Sequence, residues 1–125
     1  HIARASQEGI AFAMNYGIEI MREMGIEVKA VRAGNANMFL SPVFGQAFAN
    51  VTNCSVELFD CDGSQGAARA AGIGAGIYST FEDAFVGLRR TDAIEPCANL
   101  KCDYHESYLK WRDILHTRQN NVIAE

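Results

Sequence analysis

The order of elements in the middle of this chain constrains its fold more than any single motif. A short run at Val28 to Val31 reads as a strand and leads into the Gly/Asn-rich loop Ala33-Gly34-Asn35-Ala36-Asn37. Ser41 and Pro42 then supply an N-cap and a first-turn proline for a helix over Val43 to Val51, whose apolar residues recur at helical intervals. A second strand, Val56 to Phe59, turns at Asp60 to Gly63 into a stretch crowded with Ala and Gly, from Ser64 to Tyr78. Strand, loop, helix, strand, turn, helix is an α/β order, in which ligands usually sit at loops beyond the strand ends.

The flanks are helical. Ile2, Ala5, Gly9, Phe12, Ala13, Tyr16, Ile20 and Met24 recur at helical spacing with no capping residue before them, and Gly25 reads as the stop signal. Ile10, Met14, Ile18 and Met21 lie on the other face of the same helix, which is therefore expected to be buried from several sides, inside something larger than this chain. Thr80 caps a short helix through Leu88, and Thr91 to Pro96 reads as an extended linker. The last helix runs from about Leu100 to Thr117 and carries a stripe of Tyr104, Tyr108, Trp111 and Leu115, which reads as core or domain-packing surface. One unit over residues 1–117 and a frayed polar tail over 118–125 follow.

Several function classes are excluded by composition and spacing. At 125 residues and 49% hydrophobic content, the chain can bury a real core. A net charge of −4 with scattered basic residues gives no footprint for nucleic acid. No apolar run is long enough to span a bilayer and no signal-peptide layout opens the chain, so no membrane partner and a cytoplasmic setting are expected. Cys54, Cys61, Cys97 and Cys102 lack zinc-knuckle spacing and are read as reduced thiols. The histidines stand far apart, and no nucleophile-and-base pair can be argued. Asp60 and Asp62 flank Cys61 and could accept a hydrogen bond, hold a metal through water or cap the following helix, with capping the preferred reading. Neither the P-loop nor the full dinucleotide fingerprint is present. The Ala/Gly helix has two ordinary explanations: close packing against a neighbour, or room for a ligand over its N-terminus.

Several segments in one order resemble the C-terminal half of the carbohydrate kinases called the FGGY family, with its xylulokinase branch nearest. His1-Ile2-Ala3-Arg4-Ala5-Ser6-Gln7-Glu8-Gly9 resembles the end of the family's C-terminal signature, with Gln7 where an apolar residue is usual. Ala33-Gly34-Asn35-Ala36-Asn37 is similar to the family's Gly-Gly-Gly-Ala loop, with two glycines replaced; Ser41, Gln46, Ala49 and Asn50 resemble the helix after it. Met38-Phe39-Leu40 looks like an insertion, so Asn37 and Ser41 compete for one place. Ser64-Gln65-Gly66-Ala67-Ala68-Arg69-Ala70-Ala71 resembles the helix that closes the adenine side of the family's pocket. Ile94-Glu95-Pro96 and the aromatic stripe are similar to its closing linker and last helix.

The resemblance implies the C-terminal part of an actin-like, ribonuclease-H-like ATPase domain, with few strands packed among several helices. It implies ATP as co-substrate, Mg²⁺ in the complete enzyme, and transfer of the γ-phosphoryl to a sugar hydroxyl, D-xylulose becoming xylulose 5-phosphate. The catalytic residues and sugar contacts would lie in sequence upstream of this chain. Here Gly34, Asn35, Ala36, Asn37, Ser41, Gly66 and Ala67 would form the adenosine side of the site, and the chain alone would be inactive and prone to self-associate or dimerise. A freestanding nucleotide-binding or interaction module without catalysis is the alternative.

Overall fold

A computed structural model describes residues 1–123. The elements are α1 (Ile2–Glu23), β1 (Ala30–Gly34), α2 (Pro42–Thr52), β2 (Ser55–Phe59), α3 (Gly63–Gly74), α4 (Phe81–Phe85), β3 (Arg90–Ile94) and α5 (Lys101–Ile123). Single 3₁₀ turns at Asn37–Leu40 and Ala98–Leu100 precede α2 and α5.

The strands form one sheet in the order β1-β2-β3, with β1 and β2 parallel and β3 antiparallel to β2. The parallel pair is joined through α2, which crosses on one face of the sheet. Alternation along the strands sorts the side chains: Val56 and Leu58 are buried on the α2 face, with Val31, Ala33 and Ile94 packed against the same core. Arg32 and Glu57, opposite each other in the register, lie on the other face.

Helix α2 is the centre of the core. Ser41 Oγ accepts the Phe44 N–H, Pro42 occupies the first turn, and Asn53 in the left-handed region ends the helix. Phe44, Ala47, Phe48 and Ala49 are buried in it, and Phe39 meets both Phe44 and Phe48 edge-on at 5.1 and 5.6 Å. Against its outer side lie α1, through Ala11, Phe12 and Ile18, and α5, through Tyr104 and Tyr108. The aromatic stripe is thus a packing surface. Tyr108 meets Phe12 edge-on at 5.9 Å and donates its hydroxyl to Glu19 Oε2 at 2.6 Å, while Tyr104 donates to Glu8 Oε1 at 3.1 Å.

Helix α1 ends as the glycine signal requires. Gly25 has φ 86°, its N–H bonds the Arg22 carbonyl at 2.9 Å, and the Ile26 N–H reaches back to Met21 at 3.0 Å, which closes a Schellman motif. Its burial is narrower than the sequence predicts: Ala11, Phe12, Asn15 and Ile18 are buried, whereas Ile10, Met14 and Met21 are exposed. Among the described residues, the helix buried on most of its circumference is α2.

Other differences have local causes. The first strand starts two residues later than Val28, at Ala30, where pairing with Ser55 of β2 begins, although Val28 also packs against the core. Thr91 to Ile94, read as linker, belongs to a third strand that shows no alternating apolar signal because it is an edge strand with only Ile94 partly covered. The Ala/Gly helix stops at Gly74, and Gly76 at φ 73° lets Tyr78 fold back over Gly72. The last helix continues past Thr117 to Ile123, so the segment read as a tail from Arg118 is helical over its described part.

On the second face of the sheet Glu57 bridges two strands, accepting from Arg32 Nε at 3.0 Å and from Arg90 Nη1 at 3.2 Å. The Arg32 hydrogen bond, ahead of the opposing cost of burial, holds its carboxyl below the usual carboxylate range. A carboxyl depressed on folding stabilises above its unfolded pKa of about 4.3, and the contribution is lost as pH falls through the folded value. Glu57→Gln should therefore cost about 0.5–1 kcal/mol at pH 7, the range for partly exposed pairs. Urea denaturation as a function of pH checks this: the gap between the two proteins should close as pH is lowered below 4, and a pH-independent gap would sink the assignment.

Candidate functional site

Two loops leave the same end of the sheet, where the parallel strands β1 and β2 finish at Gly34 and Phe59. They are laced by backbone: the Asn35 N–H donates to the Phe59 carbonyl at 2.7 Å, and the Cys61 N–H bonds that same carbonyl at 2.8 Å. A Cβ on Gly34 would collide with the Cys61 carbonyl oxygen, so glycine is required there by the close passage of the second loop. Asp60 receives the Arg89 N–H at 2.7 Å, tying the loop to the start of β3.

The β2 loop runs directly into α3. Asp62 is its N-cap, accepting the Gln65 N–H at 2.9 Å and the Ser64 hydroxyl at 2.6 Å, and these bonds hold its carboxyl below the usual range, Ser64 contributing most. Of the three readings open for the Asp60/Asp62 pair, capping describes Asp62 and a main-chain hydrogen bond describes Asp60. Among the described residues no three His, Cys, Asp or Glu side chains stand together.

Between α3, α4 and the second face of the sheet lies a cleft of about 370 Å³. This is within the range of about 300–1,000 Å³ typical of small-molecule sites. Gly34 and Phe59 contribute from the strand ends, Gly66, Ala67 and Ala70 from α3, and Phe81, Phe85 and Leu88 from α4 and the turn after it. The cleft exists because α3 presents small residues towards it: nothing lies within 4 Å of where a Cβ on Gly66 would be. The wall made by α4 is fixed by Arg69, whose guanidinium donates to the carbonyl oxygens of Ala84 and Val86 at the end of that short helix. Phe85 is held from the sheet side, 6.0 Å from Phe59 and under the Arg32 guanidinium at 5.3 Å.

A second hollow of about 270 Å³ lies on the other side of Gly34 and Gly63, lined by Ala36, Asn37 and Met38 and by Ile10 and Met14 of α1. The residues singled out in the sequence are thus divided. Gly34 borders both spaces, Gly66 and Ala67 border the first, and Ala36 and Asn37 the second. Asn35 is exposed between them and lines neither. Ser41 also lines neither: its hydroxyl caps α2 and donates to Gln7 Oε1 at 2.8 Å. Of the two residues competing for one loop position, Asn37 faces a cavity and Ser41 is spent on structure. Sequence reasoning missed Arg69, Phe81 and Phe85, whose place in the cleft depends on α4 folding back over α3; only the Thr80 cap hinted at that turn.

The fold is α/β, a three-stranded sheet packed among helices. Over 96% of this chain and 25% of the other, it superposes on xylulose kinase from Rhodospirillum rubrum with a TM-score of 0.75 at 23% identity. In sequence the chain is 28% identical over 122 residues to L-xylulose/3-keto-L-gulonate kinase of Escherichia coli (strain K12), which covers 95% of this chain and 24% of that protein. No family model matches. The chain therefore spans about a quarter of the length of each of these kinases. Both are sugar kinases of the xylulose type, and likeness to them along nearly the whole chain bears out the relationship read from the sequence motifs.

Gly34→Ala should destabilise the chain by about 1–3 kcal/mol, the usual cost of forcing atoms into packed space. Asn35→Ala, on the exposed neighbour, should stay within about 0.5 kcal/mol. Chemical denaturation of both variants measures the difference, and equal effects would mean that the crossing of the two loops is not the constraint.

Proposed function

We propose that this chain is the nucleotide-side segment of an ATP-dependent sugar kinase of the FGGY family. In this reading the cleft between α3, α4 and the sheet receives the adenosine of ATP. The observation that carries it is the meeting of two separate motif segments on one cavity: Gly34 from the first, Gly66 and Ala67 from the second. Likeness to two xylulose-type kinases over more than nine-tenths of the chain supports the same reading and favours it over a freestanding module.

The geometry suits the adenosine part of the nucleotide. Apolar and aromatic walls would bury the base, and the glycine at position 66 leaves the space open. Ala36 and Asn37, across Gly34, would lie towards the phosphates, with Asn35 exposed between; Ser41 would act indirectly, by setting where α2 begins. The reaction assigned to the kinase as a whole is in-line transfer of the γ-phosphoryl to a hydroxyl of a ketose such as D-xylulose, with Mg²⁺ as the usual companion of ATP. Its acid–base groups and sugar contacts are assigned outside this chain, and a cytoplasmic setting goes with that metabolic role. No helix among the described residues is long and apolar enough to cross a membrane.

Ala67→Trp would fill the cleft from an exposed position on α3, leaving the core untouched. Titration calorimetry with ATP and ADP should show affinity falling by about tenfold or more, equivalent to about 1.4 kcal/mol, while the circular dichroism of the chain stays unchanged. Unaltered affinity would remove the cleft from the nucleotide site. The chain alone should give no turnover with ATP, Mg²⁺ and D-xylulose.

The exposed apolar face of α1, at Ile10, Met14 and Met21, supports a companion proposal that the chain self-associates. Light scattering across a concentration series should show mass rising above 13.7 kDa, and Met14→Lys should reduce it. A monodisperse monomer throughout would contradict this.

A further inference from the structure

The charged side chains at the cleft are each tied into its own walls. Arg69 is anchored on the carbonyls of Ala84 and Val86, and Arg32 is bound to Glu57 at 3.0 Å while stacked over Phe85. Asp62 Oδ1 accepts both the Gln65 N–H and the Ser64 hydroxyl, which ties the carboxylate to the first turn of α3. Nearby main-chain groups are engaged too: the Gly66 N–H bonds the Asp62 carbonyl at 3.2 Å, and the Leu88 N–H takes the Phe85 carbonyl at 3.1 Å. The rest of the lining is chiefly aromatic or aliphatic, Phe81, Phe85, Ile73 and the small residues of α3, with the Cys61 thiol beside them. Phe81 lines the cleft while remaining 64% exposed, so part of its ring is open to a ligand there.

We propose that this cleft grips a purine base by shape and by stacking on Phe81, without reading its hydrogen-bonding edge, so that the phosphoryl donor is discriminated weakly by its base. The inference rests on the nucleotide reading above. A site built to hydrogen-bond a group rejects analogues lacking it by about 10⁴-fold or more, whereas an apolar pocket separates near-isosteres by about 10- to 200-fold at most. Adenine, guanine and hypoxanthine present different edges but nearly the same ring face, and a stacking platform accepts any of them.

The test is competitive binding of ATP, GTP and ITP to the chain, with inorganic tripolyphosphate as the base-free control. The dissociation constants of the three nucleotides should agree within about tenfold, the low end of what apolar contacts separate, and all should be tighter than tripolyphosphate. Phe81→Ala should weaken all three by a similar factor of about five, the lower end of base–aromatic stacking, and leave tripolyphosphate unchanged. Because Phe81 is exposed, the variant should keep the wild-type circular dichroism. Preference for one base well beyond tenfold, or a Phe81→Ala effect confined to one base, would overturn the inference while leaving the nucleotide site standing. Nucleotides binding no better than tripolyphosphate, or not at all, would overturn both.

Discussion

Everything in this structure hangs on the burial of α2 between the sheet and the outer helices. Phe44 and Phe48 are each about 1% exposed and stack on one another with centroids 6.1 Å apart. Fully burying a side chain of this kind contributes roughly 1.5–3 kcal/mol relative to leaving it in water. One flank of α2 covers Val56 and Leu58 of the central strand; the other receives Phe12 of α1 and Tyr108 of α5. Because α2 is also the crossover between the parallel strands, fixing it fixes where both strands end, and hence where the two loops of the site meet.

The opposite face of the sheet is built on a different principle. Its covering elements are a helix rich in Ala and Gly and a helix of five residues, and its polar core is the Arg32–Glu57–Arg90 bridge. Small side chains on α3 cannot fill the gap that α4 holds open, so a cavity persists where a larger residue at Gly66 or Ala67 would close it. The absence of bulk on this face is a positive feature of the sequence, and Arg69 keeps the gap from collapsing by tethering the end of α4.

Much of the scaffold was legible because its signals are local. Ser41-Pro42 starts α2, Asp62 starts α3, Thr80 starts α4 and Gly25 stops α1, each by a side-chain or backbone bond within a few residues. The third strand escaped notice because an exposed edge strand needs no apolar alternation. The candidate site was legible in part: the small residues of Gly66 and Ala67 could be seen, and so could the glycine at position 34. Its necessity could not, since it arises from the Cys61 carbonyl of a loop that meets it only in the folded chain. Ser41 illustrates the converse. A motif position read as a contact is, in three dimensions, a cap bonded to Gln7.

The division between grip and chemistry follows from these constraints. A cavity whose charged side chains are tied into its own walls, and whose lining is otherwise chiefly apolar, is better suited to the proposed role of burying a base than to moving a proton. In Asp62, the carboxylate that lines the cleft, Oδ1 accepts both the Gln65 N–H and the Ser64 hydroxyl, which hold its carboxyl below the usual range and tie it to the first turn of α3. In the proposed site, binding energy collected here would serve catalysis by positioning what extends beyond Gly34, where the second hollow opens towards Asn37. The laced loops make that transmission rigid, because the Phe59 carbonyl bonds Asn35 and Cys61 at once. The two loops thus share one carbonyl, and through it backbone links the two sides of the proposed site.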